Sequence, residues 1–304
     1  MKTIAKLLFV TVAVLPLCAL AQGLSAPLLT TFTNPTPDGD DWFGVSVAAM
    51  GSDRVLIGAH KDHPVSARLG AAYLFTTSGT LLTTFTNPTP ADSDWFGISV
   101  AAVGSDRVLI GAFQDNTGGT AVGGAYLFTT GGTLLTTFTN PTPTNIDYFG
   151  YSVAAVGSDR VLIGALFDST GGPNAGAAYL FNTNGTLLTT FINPTPAGLF
   201  GNAVTAVGSD RVLIGAYANY STIGAAYLFA IPYPPLNIAR SGTNVLLSWI
   251  DGETGLILQE TGLLGTPTVW NDTSELVSTD GLSNVVQQAI AEGITNRFFR
   301  LRRP

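Results

Sequence analysis

The sequence contains very little cysteine, histidine or charge. Among 304 residues there are one cysteine and two histidines, and charged residues make up 11%. The single cysteine, Cys18, lies in an apolar N-terminal segment, so the rest of the chain has no disulfide, no thiolate metal site and no thiol nucleophile. A formal net charge of −7 with few basic clusters argues against nucleic acid and anionic membranes as partners.

The first 21 residues have the pattern of a Sec-type signal peptide. Lys2 and Lys6 precede an apolar run over residues 7–20, and Ala19-Leu20-Ala21 supplies a small-x-small cleavage site. The run is shorter than the roughly 20 residues that span a bilayer. We therefore predict a secreted, extracellular or cell-envelope protein with no transmembrane segment in its mature chain. A lipid-modified Cys18 is the alternative, although Leu17 stands where such sites usually have a small residue.

One nonapeptide, Gly-Ser-Asp-Arg-Val-Leu-Ile-Gly-Ala, organises the chain. It occupies residues 51–59 and recurs unchanged at 104–112, 157–165 and 208–216, at spacings of 53, 53 and 51 residues. Repetition at this period indicates one supersecondary unit in tandem. The unit contains four strand-like segments, at 43–49, 54–59, 70–75 and 81–86, which tight turns separate. Four antiparallel strands per unit are typical of a β-propeller blade; the rival, a β-solenoid, usually has shorter coils.

The two ends of the repeat array complement each other. Residues 28–33 repeat the fourth strand with no unit before them, whereas the last unit, 200–229, lacks a fourth strand. We predict that 28–33 pairs beside 224–229 and closes the ring. The expected fold is therefore all-β, a four-bladed β-propeller with its N-terminal strand closing the last blade, followed by a small β-sandwich domain.

The domain prediction follows from changes in composition. After the signal peptide (1–21), the repeats fill 22–230, a Pro-rich linker occupies 231–235 and a C-terminal module covers 236–304. In the module, short strands are expected at 237–240, 244–250, 256–260, 285–291 and 297–302, around Trp249 and Trp270. Four arginines lie near the end of the module: Arg297, Arg300, Arg302 and Arg303. We expect them to form a solvent-exposed edge, and contact with an anionic surface is the alternative.

The repeats resemble a known family. Phe43-Gly44 followed by Gly58-Ala59, with three further copies, resembles the FG-GAP repeat of integrin-α-type β-propellers in a protein of a secreted bacterial type. The likeness covers residues 28–230 and implies a propeller fold, but the family spans adhesion proteins, enzymes and scaffolds. Its members usually have seven blades, whereas four are visible here.

The family's calcium loop is a run of aspartates between the first and second strands. This chain has only Gly-Ser-Asp-Arg there, so that Asp53, Asp106, Asp159 and Asp210 each offer one carboxylate beside an arginine. We predict a turn aspartate paired with its neighbouring arginine, no metal and no cofactor, with calcium the ion that the resemblance would otherwise suggest.

Function is expected where the copies differ. The loops between the second and third strands and the links between blades share one end of a propeller, which we call the variable face. Its candidate ligand-binding residues are aromatic rings that could stack on sugars and carboxylates that could hold a cation, or else caps of the blade cores and turn aspartates. They are Trp42, Trp95 and Tyr148, Asp41, Asp94 and Asp147 just before them, and Asp62, Asp115 and Asp168 in the longer loops. The histidines His60 and His63 are at best half a metal site.

No catalytic constellation is evident, so no catalytic residue is assigned. We predict a secreted or cell-surface, non-enzymatic binding, cell-adhesion or scaffolding protein that presents variable propeller loops to a protein or glycan. The alternative is a carbohydrate-active enzyme, or its accessory domain, that uses aspartates of the variable face.

Overall fold

The computed structural model describes residues 26–62, 69–195, 198–217, 223–241, 244–250, 256–262, 268–273, 277–279, 283–289 and 297–302. The signal-peptide prediction and His63 therefore lie outside the described residues. Contacts divide the chain into two units, Met1–Thr31 and Phe32–Pro304. The described part is all-β, and it contains no apolar helix long enough to cross a membrane.

Each of the first three repeats forms one antiparallel sheet of four strands in sequence order. The first sheet consists of β1 (Phe43–Met50), β2 (Arg54–Ala59), β3 (Ala71–Thr76) and β4 (Leu81–Thr86). The second consists of β5 (Phe96–Val103), β6 (Arg107–Ala112), β7 (Gly124–Thr129) and β8 (Leu134–Thr139). The third consists of β9 (Phe149–Val156), β10 (Arg160–Ala165), β11 (Ala177–Asn182) and β12 (Leu187–Ile192). These blade-like sheets confirm the predicted all-β repeat, with the threonine-rich fourth strand at the outer edge.

The fourth sheet has three strands, β13 (Leu199–Val207), β14 (Arg211–Tyr217) and β15 (Ala225–Ala230). Residues 26–33 form no strand, so the predicted closure by 28–33 is not seen in this structure. Phe32 instead packs on Phe75 of the first sheet, with ring centroids 5.5 Å apart. Phe85 makes the same contact with Phe128 of the second sheet, also at 5.5 Å. The repeated sequence thus reflects packing on the following sheet, which Phe32 keeps without pairing in a strand.

Successive sheets pack face to face, and each contact buries a separate hydrophobic cluster. Between the first and second sheets, Leu56 and Leu74 meet Phe96 and Val108, all of them buried. The same cluster is repeated between the second and third sheets and between the third and fourth. Phe96, Phe149 and Phe200, near the start of the first strand in the second, third and fourth sheets, lie in these clusters, which explains the recurrence of this phenylalanine.

Two glycines allow the sheets to approach this closely. A Cβ atom on Gly111 of β6 would lie 2.1 Å from the carbonyl oxygen of Gly150, which belongs to the next sheet. Gly150 itself has φ of 86°, a backbone conformation that side chains rarely tolerate. Ser99 completes the contact, because its hydroxyl donates to the Gly150 carbonyl at 2.9 Å. The Phe-Gly and Gly-Ala pairs of the repeat are therefore the two halves of one contact between sheets.

The invariant Gly-Ser-Asp-Arg segments are turns that also join neighbouring sheets. Asp106 Oδ1 lies 3.4 Å from Arg107 Nε, and the other three copies have the same pair at 3.4–3.6 Å, as predicted. Three of the pairs are at least partly exposed and contribute little by themselves, whereas Arg160 of the third copy is buried. Arg107 Nη2, however, donates to the carbonyl oxygen of Ser158 in the next turn at 2.6 Å, which ties the second sheet to the third.

The chain after residue 235 forms two further antiparallel sheets. Their strands are β16 (Asn237–Ser241), β17 (Asn244–Ile250), β18 (Ile257–Thr261), β19 (Asn271–Asp272), β20 (Ser278–Thr279), β21 (Ser283–Ala289) and β22 (Phe298–Arg302). Five of them lie close to the predicted positions, whereas the two-residue strands β19 and β20 have no counterpart in the prediction. The sheet orders are β16-β17-β21-β20 and β19-β18-β22. Trp249 and Val286 from one sheet share a buried cluster with Leu258 and Leu301 from the other. The domain boundaries and the sandwich assignment stay predictions.

Replacing Gly111 by alanine tests the contact between sheets. We expect Gly111→Ala to lower the free energy of unfolding by about 3 kcal/mol or more, because a methyl group cannot fit against the Gly150 carbonyl. Gly215→Ala is the matched control: its Cβ would lie 2.9 Å from the movable side chain of Asn202 and at ordinary contact distances of 3.5–3.6 Å from Ala203, so we expect a change within about 1 kcal/mol. Chemical denaturation of dilute protein measures both, and equal losses would contradict this packing.

Candidate ligand-binding face

In each of the first three repeats, the link before the first strand and the loop after the second strand lie side by side. The backbone amide of Lys61 donates to the carbonyl of Asp41 at 3.3 Å, and that of Gln114 donates to the carbonyl of Asp94 at the same distance. Phe167 and Asp147 repeat this bond at 3.1 Å. The predicted site residues of each repeat are thus brought together on the variable face.

The six candidate aspartates are buried, in contrast to the solvent-facing carboxylates that a direct ligand contact would need. In the second repeat, the amide nitrogen of Asn87 donates to Asp94 Oδ2 at 2.8 Å and to Asp115 Oδ2 at 3.3 Å. The hydroxyls of Thr89 and Tyr126 also donate to Asp115. One asparagine therefore bridges two carboxylates that hold the two loops.

The same cluster is present in the neighbouring repeats. In the third, Asn140 donates to Asp147 at 2.8 Å and to Asp168 at 2.9 Å, and the Tyr179 hydroxyl donates to Asp168 at 2.7 Å. In the first, Asn34 donates to Asp41 at 2.8 Å, while Thr36 and Tyr73 donate to Asp62. We call these three sets the aspartate clusters.

Sequence reasoning missed the asparagine, threonine and tyrosine of each aspartate cluster. The asparagine and threonine belong to an Asn-Pro-Thr-Pro segment in each case, and Tyr73, Tyr126 and Tyr179 lie in third strands. The signal was available within the sequence, because the fourth repeat loses both acids together. It has no aspartate in the shortened link before Phe200, and Asn219 stands where the others have the second aspartate. There Asn193 donates instead to backbone carbonyls, among them that of Gly198 at 3.4 Å.

Burial changes the acidity of the aspartate clusters. Loss of water, with a smaller contribution from the charge of Asp115, raises the pKa of Asp94 to about 6 from its usual value near 3.8. The pKa of Asp147 is raised for the same main reason. Burial, together with the hydrogen bond to Asp115, raises the pKa of Tyr126 above its ordinary value, so this tyrosine stays a neutral donor.

The aromatic residues form a continuous row across the first three repeats, which we call the aromatic row. It runs Trp42, His60, Trp95, Phe113, Tyr148, Phe167, with successive ring centroids 5.3, 4.9, 5.1, 4.7 and 5.2 Å apart. Trp42 is 52% exposed, Trp95 and Tyr148 are partly exposed, and His60 and Phe113, which lie between them in the row, are buried. From Trp42 to Tyr148, rings that reach solvent therefore alternate with buried ones.

The three partly exposed rings are held in an unusual backbone conformation. Trp42, Trp95 and Tyr148 have φ of 57°, 58° and 56°, in the left-handed region that bulky residues rarely occupy. Such a conformation costs about 1–3 kcal/mol and persists only where the surroundings impose it. Here the carbonyl of each accepts a turn bond three residues on, as from Val45 to Trp42 at 3.1 Å. The same turn therefore holds the backbone that carries each of the three rings.

Charge lies at one end of the aromatic row. Lys61 Nζ sits 4.4 Å from the ring centroid of Trp42 and 5.6 Å from that of Trp95, and it pairs with Asp40 at 3.6 Å. Burial, and secondarily the charge of Lys61, lowers the pKa of His60 to about 4, so its ring is neutral at pH 7. His60 therefore acts as a packing ring here. Across the described ranges, no three histidine, cysteine or acidic side chains are grouped as metal ligands.

Comparison with known proteins supports the repeat assignment. A family model described as the FG-GAP repeat matches residues 32–75, 83–128 and 143–181. No curated protein matches the chain.

Among solved structures, the chain is similar to three proteins at low identity. Hsv2 from Kluyvelomyces marxianus has 7% identity and a TM-score of 0.35, covering 76% of this chain and 60% of its own. The subtype N11 neuraminidase-like protein of a flat-faced bat H18N11 isolate has 13% identity and a TM-score of 0.33, covering 84% of each chain. The GH74 xyloglucanase from Xanthomonas campestris has 13% identity and a TM-score of 0.36, covering 88% of this chain and 45% of its own. The chain thus spans less than two thirds of the length of the first and third of these proteins.

Asp94→Asn tests the buried carboxylate pair. Because the folded pKa of about 6 lies above the unfolded value, the folded state keeps a proton between pH 4 and 6 that the unfolded state has released. The free energy of unfolding therefore falls as pH rises through this window, by up to about 3 kcal/mol. Asp94→Asn has no carboxyl group to titrate at this position and so lacks this pH dependence. We therefore expect the free energy of unfolding of the variant, minus that of the wild type, to rise from pH 4 to 6.5 and to stay constant at higher pH.

Denaturation curves at a series of pH values provide the measurement. Asp53→Asn, in an exposed turn, is the control and should follow the wild type throughout. Parallel curves for Asp94→Asn and the wild type would contradict the raised pKa.

Proposed function

This chain is an FG-GAP-repeat protein of the β-propeller type, and from that premise we propose that it is an extracytoplasmic, non-enzymatic glycan-binding protein. The aromatic row is its binding surface and the aspartate clusters are its frame. FG-GAP repeats are typical of extracellular proteins, and the signal-like N-terminus agrees with export. Surface attachment, in the sense of an adhesion protein, is the cellular role that fits such binding.

The observation that carries the proposal is the repetition, in three successive repeats, of one ring that is at least partly exposed. Trp42, Trp95 and Tyr148 occupy equivalent positions and are linked through His60 and Phe113 at centroid distances near 5 Å. A surface that repeats along the molecule suits a ligand that also repeats, such as a polysaccharide. Aromatic rings supply large apolar area at little cost in conformational entropy, and the apolar face of a sugar ring can stack on them.

The aspartate clusters support binding over catalysis. A glycosidase needs two carboxyl groups that the substrate can reach. Asp94 and Asp115 lie close enough to share the amide of Asn87, but both are buried and already accept hydrogen bonds. In the proposed function they keep the two loops together and so hold the rings above them. The enzyme alternative therefore receives no support from this pair.

The experiment is a binding screen with the full mature chain, followed by ring substitutions. A panel of soluble β-glucans and peptidoglycan fragments serves as the probe, with affinity electrophoresis and calorimetry as readouts. We expect Trp42→Ala to weaken binding about 10–30-fold, the usual cost of losing an anchoring aromatic residue, without a change in stability, since the ring is half exposed. Tyr148→Ala should weaken binding by less, because that ring is smaller and less exposed.

Tyr233→Ala removes an exposed ring outside the aromatic row and is the control. Equal binding by Trp42→Ala and the wild type would contradict the proposed surface. No binding to any member of the panel would favour the scaffold hypothesis over glycan recognition.

A further inference from the structure

The chain ends its array of sheets with two complementary surfaces exposed. We call the face of a sheet that packs on the preceding sheet its front, and the face that packs on the following sheet its back. Each contact between sheets therefore joins the back of one sheet to the front of the next. The front of the first sheet and the back of the fourth have no such partner among the described residues. We propose that they bind each other between two copies of this chain, in a head-to-tail contact that repeats the internal one. This inference is independent of the proposed glycan binding.

The front of the first sheet is prepared for a preceding sheet. Val47 of β1 is 69% exposed, whereas its equivalent in the second sheet, Val100, is 8% exposed because it packs against the first sheet. Gly44 keeps the left-handed φ of 91° that Gly97 has at 92°. A Cβ on Gly97 would lie 2.2 Å from the carbonyl oxygen of Ala71, but one on Gly44 would meet nothing within 4 Å. The first sheet thus carries the inserting half of the contact without a receiving half.

The back of the fourth sheet is the matching receiver. Leu228 is 55% exposed there, while its equivalent Leu127 is 1% exposed beneath the following sheet. Gly215 stands where Gly58, Gly111 and Gly164 each receive the carbonyl of a following Phe-Gly pair, so close that an added Cβ would lie about 2 Å from its oxygen. An open groove beside it is lined by Asn202, Ala216, Tyr217 and Ala226, among others.

The receiver differs from its copies in one polar group. The serine that donates to the inserted carbonyl in the first three sheets is replaced by Ala203 in the fourth. Asn202 compensates, because its side-chain amide lies over Gly215 as the hydroxyl of Ser46 lies over Gly58. An amide can donate to the same carbonyl after a change of rotamer. The fourth sheet therefore retains both the space and a donor for an inserted Phe-Gly pair.

Phe32 continues the internal contact across the proposed interface. Phe85 pairs with Ala72 in its own sheet while it packs on Phe128 of the next. Phe32 already packs on Phe75 in the corresponding way. A second copy docked by its first sheet brings Phe32 opposite Ala226, the equivalent of Ala72, along the free edge of β15. The three-stranded sheet then gains the neighbour that its copies have.

This interface is heterologous, so each copy has one inserting and one receiving surface. We expect sedimentation velocity of the full mature chain to show mass above one copy at micromolar concentrations, decreasing on dilution. Val47→Asp on the inserting surface and Leu228→Asp on the receiving surface should each give a single-copy mass. Leu135→Asp changes a similarly exposed leucine on the outer edge strand β8 and should leave association unchanged.

Mixing the two single-surface variants distinguishes this contact from any other association. Each variant keeps one working surface, and the two surfaces are complementary. An equimolar mixture of Val47→Asp and Leu228→Asp should form a dimer and nothing larger. A single-copy mass for the wild type at every concentration up to about 100 μM would overturn the proposal. So would association that survives in either variant alone, or a mixture that stays monomeric.

Discussion

The close approach of a carbonyl group to a glycine is the constraint on which the repeats depend. In each contact between sheets, a Phe-Gly carbonyl inserts where a Gly-Ala glycine leaves room, with no space for a methyl group. This single contact fixes the distance between sheets, so the side chains around it must fill a constant gap. Phe96 and Leu56 do so in one cluster, and their equivalents do so in the others. Because every sheet is held in the same relation to the next, the loops at its edges recur in register.

That register is what produces the variable face. Each aspartate cluster joins two loops of one repeat through an asparagine, a threonine and a tyrosine, which come from the Asn-Pro-Thr motif and the third strand. Buried carboxylates are costly unless hydrogen bonds compensate them. Asp115 receives such bonds from Asn87, Thr89 and Tyr126, and the raised pKa of Asp94 shows that part of the cost remains. The aspartate clusters hold each link in place, so that its aromatic residue keeps a strained, left-handed backbone conformation. The rings of successive links therefore form an ordered row.

The sequence predicted much of the repeat correctly because four copies of one pattern constrain each other. The strand limits, the outer position of the threonine-rich strand and the pairing of Asp106 with Arg107 are all local or repeated features, and the structure has them. Closure of the array was not predictable in the same way. Residues 28–33 have the sequence of β4, but that sequence encodes both strand pairing and the packing of its phenylalanine. Phe32 makes the packing contact, whereas residues 28–33 form no strand.

Burial of the six candidate aspartates also exceeded what the sequence could indicate. An aspartate followed by an aromatic residue in a variable link is typical of an exposed loop, and only the fold brings Asn87 between Asp94 and Asp115. In the proposed function, buried acids frame a face on which the rings alone meet the ligand. Hydroxyl-radical footprinting of the mature chain, with and without a bound β-glucan, tests this arrangement. We predict protection of Trp42, Trp95 and Tyr148 together, with Tyr233 unchanged; protection elsewhere with these three rings still reactive would contradict the proposed binding surface.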